Sequence, residues 1–110
     1  MMFPKGNMMA GLLQQAKQVQ DKIEALQGEL AGLRVEGQAG GGMVTAVVNG
    51  QQELISVSID PHMLGEDVEL LEDLVVAAVR QATDKSKEES QRRFNAVTGG
   101  MMGGLNVPEL

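Results

Sequence analysis

The sequence predicts an α+β domain of order α-β-β-β-α, a three-stranded antiparallel meander flanked by two long helices. Three observations carry that prediction. A heptad of apolar residues runs through the first third of the chain. Three short segments of alternating polarity, separated by Gly-rich and Asn-Gly turns, occupy the middle. A second apolar stripe at helical spacing follows them. At 110 residues the chain is one domain, divided here into an ordered region over 1–98 and a flexible Gly/Met-rich tail over 99–110.

In the first helix the apolar residues fall at Met9, Leu12, Ala16, Val19, Ile23, Leu26, Leu30 and Leu33, with steps alternating between three and four. That is the period of a narrow seam packed against another helix, from this chain or its copy. Gly28 and Gly32 weaken its last turns. Three strands follow over Leu33–Ala39, Met43–Val48 and Leu54–Asp60. Gly40-Gly41-Gly42 turns the chain between the first two. Asn49-Gly50, both residues accepting positive φ, turns it between the second and third. Alternation in the third strand puts Ile55, Val57 and Ile59 on one face, predicted to be buried, and Ser56 and Ser58 on the other. Asp60-Pro61 ends it.

The second helix starts near Gly65–Asp67, with Glu66, Asp67 and Glu69 complementing its dipole. Its stripe of Val68, Leu71, Val75, Ala78 and Ala82 is wide enough to cover a sheet. Thr83–Arg93 is polar on every side and is predicted to project into water. A lone three-stranded sheet has two open edges, so pairing across a two-fold axis in a homodimer is expected.

Composition narrows the function. There is no Trp or Tyr and only two Phe, Phe3 and Phe94, so the stacking platforms of single-strand binders are excluded. No cysteine means no thiolate nucleophile and no Cys-ligated zinc, and fits a reducing cytoplasm. The longest apolar run, Leu74–Val79, is far too short to span a membrane, and the N-terminus has no signal-peptide core. The formal net charge of −6 opposes binding to nucleic acid when taken as a sum, but its distribution is uneven. Residues 35–79 carry eight acidic groups and no basic one, while 1–34 and 80–97 are mildly basic. An anionic partner is expected to meet those flanks.

No catalytic arrangement emerges. His62 is the only histidine and reads as a solvated turn residue. Glu66, Asp67, Glu69, Glu72 and Asp73 match no calcium-loop spacing. The glycine triplet lacks the Lys and Ser or Thr of a phosphate-binding loop. The chain is therefore read as non-enzymatic, with no cofactor, metal or small-molecule substrate. The basic side chains flanking the acidic middle include Lys5, Lys17 and Lys22 on the first-helix side and Arg80, Lys85, Lys87, Arg92 and Arg93 on the second. An acidic protein-interaction or chaperone-like adaptor, using the Met-rich ends, is the alternative.

Several segments in order resemble the YbaB/EbfC family of bacterial nucleoid-associated proteins: MAGLLQQAKQVQDK (Met9–Lys22), VEGQAGGG (Val35–Gly42), VTAVVNGQQELISVSID (Val44–Asp60), LEDLVVAA (Leu71–Ala78) and the Gly/Met-rich end. The resemblance implies a cytoplasmic, nucleoid-associated homodimer with a shared sheet and helices projecting like the arms of tweezers. It also implies binding to double-stranded DNA with little sequence preference, and a role in nucleoid organisation or gene regulation. The positions it assigns to DNA are Gln14, Gln15, Lys17, Gln18 and Lys22 on the first helix and Lys85, Lys87, Arg92 and Arg93 on the second.

Overall fold

Two helices and three strands follow one another in the expected order in a computed structural model of the chain: α1 (Phe3–Gly32), β1 (Val35–Ala39), β2 (Val44–Val48), β3 (Leu54–Ile59) and α2 (Val68–Met101), with one 3-10 turn at Pro61–Met63. The structure describes residues 3–101, with side chains from Met8 to Gly99. The Lys5 side chain and residues 102–110, most of the expected tail, lie outside the described residues, while 99–101 continue α2.

The strands form an antiparallel sheet of order β1-β2-β3. In register, Gly37 faces Ala46 and Ala46 faces Val57. β2 shows the period of two most cleanly: Val44, Ala46 and Val48 are buried, while Thr45 and Val47 are half-buried on the opposite face. α2 lies across β1 and β2, burying Ala78 and Ala82 against Val44, Ala46 and Val48. Small residues let helix and sheet approach closely, and Val35, Ala39, Leu71, Leu74 and Val79 pack around the contact.

Because α2 covers β1 and β2, β3 is left beside it. Val57 is half-buried, but Ile55 and Ile59 are 45% and 43% exposed, so the face predicted to be buried is only partly covered by this chain.

The Asn49-Gly50 turn also works differently from the sequence expectation. Positive φ falls at Gln52 (63°) and at Gly40, Gly41 and Gly42, not at Asn49 or Gly50. Asn49 acts through its side chain, whose Oδ1 accepts from the Gln51 N–H (2.9 Å) and the Glu53 N–H (3.0 Å). Gly50 donates its N–H to the Leu30 carbonyl (2.7 Å), and a Cβ there would lie 2.9 Å from Leu30 Cα. The turn thus docks the end of α1.

Thr83–Arg93 does not project as predicted. Ser86 is fully buried; its hydroxyl donates to the Asn49 carbonyl (2.6 Å) and accepts from Gln52 Nε2 (2.9 Å). Ser90 donates to the Gly50 carbonyl. These hydroxyls satisfy loop carbonyls, so a polar helix face is buried by hydrogen bonding rather than by apolar packing.

The α1 seam closes over only part of its length. Leu26 is 5% exposed, and Val19, Ile23, Leu30 and Leu33 are half-buried. Met9 and Leu12 remain 60% exposed, so the front of α1 is the part that projects. The molecule measures 81 × 31 × 16 Å with a radius of gyration of 21.6 Å. A compact chain of this length has about 13 Å.

Candidate nucleic-acid interface

The nine positions singled out in the sequence separate into four places. Gln14, Gln15, Lys17, Gln18 and Lys22 are all exposed on α1, the first three on its projecting front and Gln18 and Lys22 where the seam begins to close at Val19 and Ile23. At about 100° per residue, Gln14, Gln18 and Lys22 run in one line, opposite the Met9–Leu12–Ala16 seam. Among the described residues, no hydrogen bond or ion pair engages these five side chains. Amide and ammonium groups are held there along one helix, with Asp21 the only acidic group among them.

Lys85 and Arg92 lie together on the β1 side of α2. They line a shallow cleft of about 500 Å³ with Arg34, Glu36, Glu88 and Glu89. Lys85 Nζ donates to the Glu36 carbonyl (3.3 Å), and Arg92 pairs with Glu89 (3.0 Å). Arg34 is a third cation that sequence reasoning did not place here. It stands alone at the end of α1, and only the fold carries it to this cleft, where its guanidinium also donates to the Leu33 carbonyl (2.9 Å). Three carboxylates offset the three cations, so this cleft is a weaker anion site than its arginines suggest.

Lys87 sits elsewhere on α2, beside a cleft lined by Val76, Val79, Arg80 and Asp84. Arg93 is half-buried and engaged twice: Nε donates to Glu89 (2.8 Å) and a terminal nitrogen to Glu29 of α1 (3.0 Å). The Arg93 hydrogen bond holds the Glu89 carboxyl below its ordinary range, and the same bond raises the Arg93 guanidinium further above its own.

The other sequence candidates are structural in geometry. The Asp60 carboxylate caps the 3-10 turn, accepting from the His62 N–H (2.8 Å) and meeting His62 Nδ1 (2.7 Å). Those two bonds, the backbone one foremost, lower the Asp60 carboxyl from its ordinary value. Asp67 accepts from the Glu69 N–H (3.3 Å) at the start of α2. Among the described residues no three His, Asp or Glu side chains are grouped to hold a metal ion, and no helix is long and apolar enough to cross a membrane.

Comparison with known proteins gives consistent results. The model of the YbaB/EbfC DNA-binding family matches residues 5–101. A nucleoid-associated protein of Caldanaerobacter subterraneus subsp. tengcongensis is 44% identical over 109 residues, covering 98% of this chain and 95% of that one. One from Thermoanaerobacter pseudethanolicus is 45% identical with the same coverage. One from Syntrophobacter fumaroxidans is 46% identical over 100 residues, covering 89% of this chain and 91% of that one. The crystal structure of an uncharacterized protein from Helicobacter pylori is similar with a TM-score of 0.67 and 26% identity, covering 81% of this chain and 92% of that one.

Proposed function

The chain belongs to the YbaB/EbfC DNA-binding family, and on that premise we propose that it binds double-stranded DNA as a homodimer, without catalysis and with little sequence preference, as a nucleoid-associated protein of the bacterial cytoplasm that organises DNA or regulates genes. The observation that carries this reading is the exposed Gln14–Gln18–Lys22 line, flanked by Gln15 and Lys17, on a helix that leaves the body of the molecule. Lysines neutralise phosphates, and glutamine amides bond to backbone oxygens; neither requires a particular sequence. Lys85, Lys87 and Arg92 add cations nearer the sheet. Arg93 stands apart, because its guanidinium already meets two carboxylates.

Dimerisation is supported by what α2 leaves uncovered. β3 is an edge strand with exposed Leu54, Ile55 and Ile59, and Val76 on α2 is 52% exposed. An edge of that composition invites pairing with a second copy, and each fully buried Val or Ile contributes about 1.5–3 kcal/mol. The double variant Ile55→Glu, Val76→Glu is expected to sediment at the monomer mass and keep its helical circular dichroism. A dimer that survives both charges would place the contact elsewhere.

The reading is tested by fluorescence anisotropy of two unrelated labelled duplexes across a salt series. Affinity that falls log-linearly with salt, at a slope of about −0.9 per phosphate contact, and differs little between the duplexes is the expected result. No binding at low salt would overturn it.

A further inference from the structure

Arg92 and Arg93 are neighbours in sequence, but their surroundings differ. Arg92 is 67% exposed and pairs only within its own helix, with Glu89. Arg93 is 36% exposed and bridges two helices, holding Glu89 on α2 (2.8 Å) and Glu29 on α1 (3.0 Å). A guanidinium with carboxylates on two sides offers a phosphate little positive potential. Glu29 lies in the last turn of α1, next to Leu30, whose carbonyl accepts from Gly50 (2.7 Å). The end of α1 is therefore fixed at two points, the Asn49–Gly50 turn and Arg93.

N-terminal to that fixed end α1 is held by its seam at Leu26, Ile23 and Val19 and projects beyond it, so its direction is set by these contacts together with the clamp. From Glu29 the helix runs about 11 Å to Lys22 and about 18 Å to Lys17, so a 10° change of direction moves these lysines by about 2 and 3 Å. At Lys17 that approaches one phosphate spacing along a strand of a duplex, about 3.4 Å. Small changes at the clamp change which phosphates Lys17 and Lys22 can reach.

We propose that Arg93 is a positioning residue: by gripping Glu29 across the helix pair it sets the direction of the α1 arm, and so the fit of Lys17 and Lys22 to DNA, without contacting phosphate itself. The inference rests on the reading of α1 as a DNA-contacting arm.

The full-length Glu29→Gln variant separates the two roles by sign. If Arg93 contacts phosphate, removing Glu29 frees a cation and deletes a repulsive charge, and binding tightens. If Arg93 is a clamp, binding weakens although the protein has become less negative. A loss of about two- to fivefold at 0.15 M salt is expected, in keeping with a solvent-exposed ion pair, with the salt slope unchanged. Arg93→Gln should show a similar loss, also with unchanged slope.

Geometry is read without DNA. The chain has no cysteine, so Ala10→Cys and Asn95→Cys accept the only two spin labels, and dilution with unlabelled chain isolates the distance within one protomer. That distance distribution should broaden in Glu29→Gln. Equal or tighter DNA binding by Glu29→Gln would overturn the proposal. So would a slope shallower by about 0.9 per Arg93 removed, or an unchanged distance distribution. Absence of DNA binding by the wild-type chain would instead overturn the reading on which the clamp rests, and is distinguishable because it precedes any variant.

Discussion

Replacing Gly37 with alanine is expected to lower the melting temperature by at least about 10 °C at fixed protein concentration. A Cβ on Gly37 would run into the Ala78 carbonyl oxygen and the Ala82 amide nitrogen of α2, both of them backbone atoms. A flexible side chain can rotate out of the way, but a helix backbone can only move bodily. α2 would have to lift from β1 and β2, loosening Ala78 and Ala82 against Val44, Ala46 and Val48, all at 1% exposure or less. Overpacking in a tight core costs about 1–3 kcal/mol and more where nothing can yield; about 1 kcal/mol shifts the midpoint of a domain this size by roughly 4–8 °C. Gly28→Ala is the control, since a Cβ there meets nothing within 4 Å and helix propensity favours alanine. It should melt at or above the wild-type temperature. A Gly37→Ala protein that melts within about 2 °C of wild type would mean that α2 does not sit on β1 as described.

What the sequence allowed to be read depends on the kind of interaction. Periodicity reports apolar packing, so β2, with Val44, Ala46 and Val48 inward, and the α2 stripe through Ala78 and Ala82 were legible. Ser86 and Ser90 were not, because a hydroxyl that buries itself on a loop carbonyl looks in sequence like one facing water. Their partners, the Asn49 and Gly50 carbonyls, lie 37 and 40 residues away. The Asn49-Gly50 pair marked a turn correctly, but by its usual backbone conformation, whereas here it is chosen for an amide side chain and for space beside Leu30. The heptad in α1 predicted a seam and could not say how far a partner helix would follow it. At the candidate site the same limit applies: charge and amide content pointed to the α1 stripe, while the Glu29–Arg93 pair and the arrival of Arg34 beside Lys85 and Arg92 are products of tertiary folding.

The net charge of −6 is also less of an obstacle than its sum suggests. The eight acidic groups of residues 35–79 belong to the sheet, its turns and the start of α2. The Gln14–Lys22 stretch lies further toward the N-terminus of α1, its front half on the part that projects. Along the helix, Lys22 and Gln14 stand about 15 and 27 Å from its docked end at Gly32. That is about two to three Debye lengths, each about 8 Å at physiological salt, so charges on the body are increasingly screened toward the front of the arm.

From this separation follows the second large effect. Lys17→Glu with Lys22→Glu should weaken duplex binding on the order of a hundredfold or more at 0.1 M salt. Each phosphate contact contributes about 0.9 to the salt slope, or roughly eightfold in affinity at that concentration, and in the proposed dimer both arms' contacts are lost together. The slope itself should become shallower by about 0.9 per lysine engaged. Neither residue touches the core, and both are exposed, so the melting temperature should stay within a few degrees of wild type. The matching reversal on α2, Lys85→Glu with Arg92→Glu, removes as much charge from a cleft already lined by Glu36, Glu88 and Glu89. It should cost less, because those cations are partly neutralised before DNA arrives. Should the α2 pair prove the more damaging and the α1 pair leave affinity within twofold, the site belongs on the β1 side of α2. The projecting helix would then be an arm for something other than DNA.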